Sequence, residues 1–334
     1  MDTHRLSVRP LKQEIADGIA KNPRMHILAA GGAGFIGANL CRALLKRGAE
    51  VTVIDNLYTG RRSNLDDLPI RFIEGDICDR ELLQRQFSPD RLHFDGVINL
   101  ACPASPPAYQ SKPIETLLTG SLGTVNTLEI ARAHQARYLL TSTSEIYGEP
   151  AVHPQTEEYR GNVNPVGPRS MYDEAKRFSE AAVTAYAETY GLSTAIVRIF
   201  NTYGPFMQPD DGRVVTNFLN QALDGAPLTI YGDGSQTRSF CYVDDLVEGL
   251  LAMLDSRERG PVNLGNPQEV TIRELVETVR EITGKTCAIA YRPLPGDDPT
   301  RRCPDITKAK TLLHWQPHTD LRTGLQSTWE WFQR

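Results

Sequence analysis

The sequence predicts an α/β protein with a doubly wound parallel sheet and a smaller C-terminal domain. A short apolar run over residues 25–30 is followed directly by a glycine-rich turn. Apolar, strand-like runs then alternate with helical patterns as far as about residue 200, the order that a parallel sheet with helices on both faces requires. Beyond Phe200, turn residues cluster and the elements become shorter, which indicates a second domain.

The first unit of the sheet is a strand, a glycine turn, a helix and a second strand. The helical pattern runs from Phe35 to about Arg47 and stops at Gly48, and the strand that follows ends in Asp55. This order predicts a Rossmann topology. The remaining predicted strands are 70–74, 96–100, 138–141 and 194–198, and the longer predicted helices are 113–133 and 171–190. Beyond Phe200 we expect shorter helices and strands, ending in 321–332.

The same pattern predicts the domain division. Residues 25–200 form the Rossmann domain, and about 240–264 return to it, because 242–254 has the pattern of another helix packed on the sheet. The smaller domain comprises 201–239 and 265–334. We expect it to bind the substrate over the carboxyl edge of the sheet, where ligands of such folds lie.

The composition argues against several classes of protein. The 36 basic and 41 acidic residues give a net charge of −5, so neither a nucleic acid nor an anionic membrane is an expected partner. No apolar run approaches the ~20 residues that span a bilayer. The extension 1–24, in which Leu11, Ile15 and Ile19 allow a short amphipathic helix, has no signal-peptide core. Six cysteines without a CxxC pair and seven histidines without ligand spacing predict reduced thiols, a cytoplasmic location and no metal.

The glycine turn predicts a dinucleotide site. Gly31, Gly34 and Gly37 form a GxxGxxG pattern between strand and helix, where the backbone approaches a pyrophosphate and the helix N-terminus attracts it. Asp55 ends the next strand, and its carboxylate suits the ribose hydroxyls of NAD and would repel the 2′-phosphate of NADP. The nearby pair 61–62, two arginines, is the one feature that favours NADP.

A second constellation predicts proton transfer. Tyr172 and Lys176 form a YxxxK pair on one helical face, where the ammonium group is expected to lower the pKa of the phenol and make it a general base. Thr143 lies at the end of a predicted strand and is expected to hydrogen-bond the reacting hydroxyl. Glu145 follows it, as either a surface acid or a group that handles protons or positions a sugar.

Together these motifs resemble the extended short-chain dehydrogenase/reductases that act on nucleotide sugars, and more narrowly the UDP-glucuronate decarboxylases, also called UDP-xylose synthases. The superfamily motifs are GGAGFIG, Asp55, YDEAK and RIFNTYGP. The narrower likeness covers about residues 25–315. It is found in LACPASPPAY (100–109), TSTSEIYGEP (141–150), GNVNPVGPRSMYDEAKR (161–177), DDGRVVTNF (210–218), YGDGSQTRSFCYVDDLVEG (231–249) and PLPGDDP (293–299).

The resemblance implies the residues of the site. The implied catalytic residues are Thr143, Glu145, Tyr172 and Lys176. The implied residues for NAD are Gly31, Gly34, Phe35, Ile36, Gly37, Asp55, Asn56, Thr59, Gly60, Asp76, Ile77, Leu100, Ala101, Thr119, Tyr172, Lys176, Thr202 and Arg213. The implied residues for UDP-glucuronate are Ser144, Glu145, Tyr186, Asn201, Tyr231 and Arg238.

The resemblance also implies the reaction. Tyr172 takes the proton of the C4 hydroxyl while the C4 hydride passes to NAD+, which gives a UDP-4-keto-hexuronate. This β-keto acid loses CO2, C5 is protonated, and the returning hydride gives UDP-xylose, unless the UDP-4-keto-pentose is released first. Glu145 is implied near the sugar carboxylate, where charge repulsion would favour CO2 loss.

Related activities are distinguished by the residue after Thr143. The 4,6-dehydratases carry an Asp there as the acid for water loss, whereas this chain has Ser144 followed by Glu145, the decarboxylase pattern. A UDP-glucuronate 4-epimerase or another nucleotide-sugar epimerase/dehydratase is the nearest alternative. A non-catalytic NAD(H)-binding regulator is a remote one, because such a protein has no need of an intact Thr143–Tyr172–Lys176 set.

The chain departs from the family pattern at three positions. Phe206 replaces an arginine after Gly-Pro, Arg160 replaces a tryptophan, and Met171 replaces a small residue before the tyrosine. The first change is expected to remove a cation from the mouth of the site and to alter retention of the keto intermediate. By resemblance, helices 113–133 and 171–190 are expected to pair with their mates in a homodimer.

Overall fold

The computed structural model describes residues 25–293 and 301–334. The predicted helix in the N-terminal extension, and residues 294–299 of the PLPGDDP segment, lie outside these ranges. Among the helices of the described ranges, none is both long enough and apolar enough to cross a membrane.

The central sheet has seven parallel strands in the order β11-β6-β5-β4-β1-β2-β3. This confirms the predicted doubly wound sheet, with the crossover between β1 and β4 at its centre. Each predicted strand is present within two or three residues of its expected bounds. The strands are β1 (His26–Ala30), β2 (Glu50–Asp55), β3 (Arg71–Glu74), β4 (Gly96–Asn99), β5 (Arg137–Thr143), β6 (Thr194–Ile199) and β11 (Val262–Leu264).

Two apolar layers cover the faces of the sheet. Alternate residues of one strand enter different layers: Ile27 packs in the first and Leu28 in the second, and both are fully buried. Such strands are apolar on both faces, as a sheet covered on both sides requires. The helices of this part are α1 (Phe35–Lys46), α2 (Arg80–Gln86), α3 (Pro106–Ser111), α4 (Pro113–Leu118), α5 (Thr124–His134), α6 (Ser170–Tyr190) and α8 (Val243–Asp255).

The predicted single helix over 113–133 is interrupted. A π-helical turn, Thr119–Gly123, separates α4 from α5. Within it Gly120 packs directly on α6, since a Cβ at Gly120 would lie 2.6 Å from the Cβ of Ala175. The turn places Thr119 at the cavity described below, and apolar periodicity gave no indication of it.

The C-terminal part lies over the carboxyl edge of the sheet. A three-stranded sheet has the order β12-β9-β14, β13 pairs with β8, and β10 pairs with the two-residue strand β7. The strands are β7 (Thr202–Tyr203), β8 (Leu228–Tyr231), β9 (Thr237–Ser239), β10 (Cys241–Tyr242), β12 (Glu269–Thr271), β13 (Ile289–Arg292) and β14 (Arg301–Arg302). The helices are α7 (Val214–Asp224), α9 (Ile272–Thr283), α10 (Thr307–Leu312) and α11 (Leu321–Phe332). The domain boundaries given above stay a prediction.

Candidate active site

A cavity of about 730 Å³ lies between the carboxyl ends of the central strands and the C-terminal part. It is lined by residues at the ends of β1, β2, β4, β5 and β6 and by residues of α6, β8 and β9. Its location is the crevice where doubly wound sheets bind ligands. The volume falls in the range that ligand pockets of proteins occupy.

The glycine turn forms one wall of the cavity. Gly31 has a φ of +80°, a conformation that glycine adopts without strain. A Cβ at Gly37 would lie 2.4 Å from the carbonyl oxygen of Gly31, so a side chain there would force the turn apart. Gly34 precedes α1, and no side chain caps the first turn of that helix. The turn therefore fits the pyrophosphate of a dinucleotide, which binds to uncapped N–H groups at a helix N-terminus.

Asp55 lies at the cavity end of β2. Its carboxylate accepts hydrogen bonds from the backbone N–H of Ala33, at 3.0 Å, and of Leu57, at 2.8 Å. Burial raises the pKa of Asp55, and these two hydrogen bonds oppose the rise. Arg61 forms an ion pair with Asp210, at 3.8 Å, and does not line the cavity. The part of the cavity next to Asp55 thus fits the adenosine ribose hydroxyls of NAD.

The second neighbouring arginine is also engaged elsewhere. Arg62 forms an ion pair with Asp66, at 3.5 Å, and its guanidinium group stacks on the ring of Phe72. It too is outside the cavity lining, so the feature that favoured NADP has no counterpart in the cavity.

The other predicted cofactor residues also line the cavity, except Gly60. Gly60 instead supports Asp55: a Cβ at Gly60 would lie 2.9 Å from both carboxylate oxygens. Arg213 lines the cavity while its guanidinium group pairs with Asp211 at 2.7 Å.

Tyr172 and Thr143 are brought together at the centre of the cavity. Both residues line the cavity, and the ring of Tyr172 stacks on Tyr109 with centroids 5.2 Å apart. The Nζ of Lys176 donates to the carbonyl oxygen of Thr141, at 2.8 Å. Burial raises the pKa of Tyr172 and lowers that of Lys176. The expectation that Lys176 lowers the pKa of the phenol stays a prediction.

Glu145 is held by two arginines that the sequence analysis did not assign to the site. The Oε2 of Glu145 accepts one hydrogen bond from the Nη2 of Arg169, at 2.6 Å, and another from the Nη2 of Arg302, at 3.4 Å. Arg302 is 2% exposed and also donates to the carbonyl oxygens of Ser144 and Gly148. Burial alone would raise the pKa of Glu145, but the charges of Arg302 and Arg169 outweigh it and lower the pKa. Glu145 is an ionised group of the cavity and not a surface acid.

A buried ion pair holds the end of β5 in place. The guanidinium group of Arg198 contacts both oxygens of Glu180, at 3.0 and 2.8 Å, and Ser142 donates to the same carboxylate at 2.6 Å. Arg198 also donates to the hydroxyl of Tyr147, at 3.0 Å. These contacts fix the segment that carries Thr143 and Glu145, which is how supporting residues position a reactive group.

On the substrate side, Ser144, Asn201, Tyr231 and Arg238 line the cavity as predicted from the resemblance. Tyr186 does not. Its hydroxyl donates to Glu129 at 2.6 Å. The residue shares the helical face of Tyr172, but fourteen residues along a helix correspond to about 21 Å. The assignment of Tyr186 to the substrate site is therefore wrong.

Phe206 is also not at the mouth of the site. The guanidinium group of Arg42 lies over its ring, 4.2 Å from the centroid, and Trp331 packs beside it. Its side chain is absent from the cavity lining, whereas the next two residues, Met207 and Gln208, are part of it. Phe206 thus affects the packing between α1 and α11, and the expected loss of a cation at the mouth of the cavity does not follow from it.

Comparisons with known proteins agree with this geometry. Residues 27–265 match the model of the NAD dependent epimerase/dehydratase family. UDP-glucuronic acid decarboxylase 1 of Arabidopsis thaliana is 49% identical over 90% of this chain and 68% of its own length. UDP-glucuronic acid decarboxylase 1 of Xenopus tropicalis is 46% identical over 95% of this chain and 74% of its own length.

A solved structure extends the likeness to ligand complexes. UDP-glucuronic acid 4-epimerase from Bacillus cereus, in complex with UDP-glucuronic acid and NAD, superposes with a TM-score of 0.80 at 28% identity. It covers 92% of this chain and 99% of that one. From its sequence, its fold and the position of its cavity, the chain belongs to the NAD dependent epimerase/dehydratase family.

Proposed function

We propose that this chain catalyses the NAD-dependent decarboxylation of UDP-glucuronate to UDP-xylose. Its relatives of 46–49% identity are UDP-glucuronic acid decarboxylases. The observation that carries the proposal is the cluster at Glu145, where one carboxylate meets the guanidinium groups of Arg169 and Arg302 beside Tyr172. Arg238 also acts on Glu145, and Asp173 lies near the same groups, so three arginines face two acids. The resulting positive site suits a uronate carboxylate better than a neutral sugar.

The glycine turn and Asp55 would hold the cofactor, with the pyrophosphate at Gly31–Gly37 and the adenosine ribose at Asp55. When bound, NAD+ supplies the acceptor for the C4 hydride and returns that hydride after CO2 has left. The uncapped start of α1 and the close backbone approach at Gly37 are the features that fit it.

Tyr172 is the proposed acceptor of the C4 hydroxyl proton. Thr143 lines the same cavity, and its hydroxyl would orient both the phenol and the sugar hydroxyl. Lys176 is buried and one of its three donors is used by the carbonyl oxygen of Thr141, so donors remain for a ligand hydroxyl. Its ammonium charge would stabilise the phenolate once the site is closed.

The role of Glu145 differs from simple charge repulsion. Because two guanidinium groups compensate its charge, repulsion of the substrate carboxylate is weak. We propose that Glu145 orients Arg302 and Arg169, and that these cations stabilise the enolate left when CO2 departs. Ser144 carries no acid, so water elimination has no proton donor at that position.

Arg238 and Tyr231 are proposed to bind the UDP portion. β9 carries Arg238 and pairs with β14, which places this residue beside Arg302. Of the arginines in the β9–β14 ladder, Arg238 would thus bind the diphosphate and Arg302 the uronate.

We also propose a homodimer through α4, the π-helical turn and α6. Ile114, Leu118, Leu122 and Phe178 are 62%, 45%, 44% and 47% exposed on these segments, and such a patch on a folded chain marks an interface. A charge at its centre, Leu118→Glu, should give a monomer by light scattering. Val166→Glu, at a loop position that is 91% exposed, should leave the dimer intact.

Headspace CO2, and mass spectrometry of the nucleotide sugars after chromatography that separates the C4 epimers, test the activity. Purified chain with UDP-glucuronate and NAD+ should release one CO2 per UDP-pentose, and Tyr172→Phe should release almost none. UDP-galacturonate without CO2 would make the chain an epimerase, and unconverted substrate would contradict both activities.

A further inference from the structure

Outside the cavity, three side chains of metal-ligating types meet at the small sheet β12-β9-β14, in which Glu269 begins β12 and Cys303 follows β14. They are His153, Glu269 and Cys303, and their ligand atoms all lie within 4.8 Å of one another. The Nε2 of His153 is 2.9 Å from the Oε2 of Glu269. The three residues are far apart in the sequence, so ligand spacing gave no indication of them.

We propose that His153, Glu269 and Cys303 form a binding site for a divalent cation of borderline softness, with Zn²⁺ as the best fit. Imidazole nitrogen, thiolate sulfur and carboxylate oxygen are the three ligand types that zinc takes in proteins. A thiol in the set disfavours Mg²⁺ and Ca²⁺, which prefer oxygen ligands only. With three protein ligands, water would complete a tetrahedral site, and the thiol proton would leave to solvent.

The ligands are held by contacts outside the set. The hydroxyl of Thr237 donates to the Oε1 of Glu269, at 2.6 Å, so the other oxygen is left facing His153. Orientation of a ligand by an outer partner is typical of metal sites. Cys303 is 2% exposed, which places its sulfur at the base of the cluster below two partly exposed ligands.

The backbones that carry the ligands are tied together. Gln155, two residues after His153, donates its N–H to the carbonyl oxygen of Cys303 and accepts from the N–H of Cys303 at its Oε1, both at 2.9 Å. Glu269 lies opposite Ser239 in the β12–β9 ladder. Little chain ordering is therefore needed on binding, which is the main cost of an unformed metal site.

A second cluster in the described residues, Asp245, Glu248 and His318, makes a useful contrast. Asp245 is fully buried and accepts hydrogen bonds from the N–H and the hydroxyl of Thr319, at 3.0 and 3.1 Å. Its carboxylate is thus occupied in tying α8 to the segment before α11, and the cluster has no thiol. We assign no site to it.

Titration of the metal-stripped full chain with Zn²⁺ tests the proposal by calorimetry, without any substrate. We expect one ion per chain and a higher melting temperature with zinc, since binding only to the folded state stabilises it. His153→Gln keeps an amide that can donate to Glu269 but removes a direct ligand. It should therefore weaken zinc binding by at least the ~10–100-fold that loss of an outer partner of a ligand costs. His318→Gln is the matched control and should bind zinc like the wild type.

Cobalt identifies the sulfur ligand. Co²⁺ in place of zinc should give a thiolate charge-transfer band in the near ultraviolet, absent in Cys303→Ser and present in Cys78→Ser. No zinc uptake, equal affinity in His153→Gln, or loss of binding in His318→Gln would overturn the proposal. If Cys303→Ser folds poorly, His153→Gln still decides, because that side chain is 28% exposed. None of these measurements depends on the decarboxylase activity.

Discussion

Replacing Glu145 with glutamine tests the charge arrangement of the site most sharply. The change keeps the shape and one acceptor oxygen but removes the negative charge that Arg169 and Arg302 share, at 2.6 and 3.4 Å. Both guanidinium groups would then lose the carboxylate that they share. If these cations stabilise the enolate only when Glu145 orients them, the variant loses stability and turnover together.

The magnitude follows from the burial of the three groups. Removing one partner of a buried ion pair costs about 3–5 kcal/mol. Since the amide oxygen of Glu145→Gln still accepts from Arg169, we expect the lower end, about 3 kcal/mol in the free energy of unfolding. For turnover we expect kcat to fall about 100-fold, equivalent to about 2.7 kcal/mol of transition-state stabilisation.

Urea unfolding and the rate of UDP-xylose formation measure the two effects at neutral pH. Glu158→Gln is the matched control, because the Glu158 carboxylate is 76% exposed and lies 4.0 Å from its partner Lys308. That variant should change neither quantity. Wild-type turnover and stability in Glu145→Gln would refute the proposed role of the cluster. Lost stability with full turnover would make Glu145 structural only.

Three further predictions concern other parts of the site. Tyr172→Phe removes the proton acceptor and should lower kcat about 10²–10⁴-fold, while NAD binding followed by fluorescence stays within a fewfold of the wild type. Gly37→Ala places a Cβ 2.4 Å from the Gly31 carbonyl oxygen and should destabilise the fold by about 1–3 kcal/mol and abolish NAD binding by calorimetry; unchanged binding would contradict the fit of the turn. Burial, and secondarily Glu145, raise the pKa of Asp173 to about 7, so its proton is bound in the folded state and lost in the unfolded state between about pH 4 and 7. Wild-type stability therefore falls through this window relative to Asp173→Asn, by on the order of 2–4 kcal/mol in urea unfolding; parallel pH profiles would contradict the shift.

The sheet and most of its helices were predictable because their signals are local. Alternation of apolar runs and helical periodicity predicted β1 to β6 and the long helix α6, expected over 171–190 and observed at Ser170–Tyr190. The π-helical turn at Thr119–Gly123 was not, since it results from the close contact of Gly120 with α6. A tertiary contact of this kind leaves no periodic trace in the sequence.

The site was predictable where a motif carries its chemistry. Thr143, Glu145 and Tyr172 line one cavity, as expected. Arg169 and Arg302 were missed, although Arg169 lies within the GNVNPVGPRSMYDEAKR segment. Arg302 contacts Glu145 from 157 positions away in the sequence, which only the fold shows. Arg169 is 24 positions from Glu145, but no motif marks it as a partner of that carboxylate. A shared helical face does not by itself bring two residues to the same site, because they can be far apart along the helix axis. Tyr186 was misassigned for this reason.

Proton NMR of the purified chain with UDP-glucuronate and NAD+ tests the central claim most directly. The anomeric signal of UDP-glucuronate should be replaced by that of UDP-xylose, with no lasting absorbance from NADH, because the hydride is returned within each turnover. A UDP-4-keto-pentose with accumulating NADH would support decarboxylation but contradict the return of the hydride. An anomeric signal of UDP-galacturonate, or an unchanged spectrum, would contradict the account.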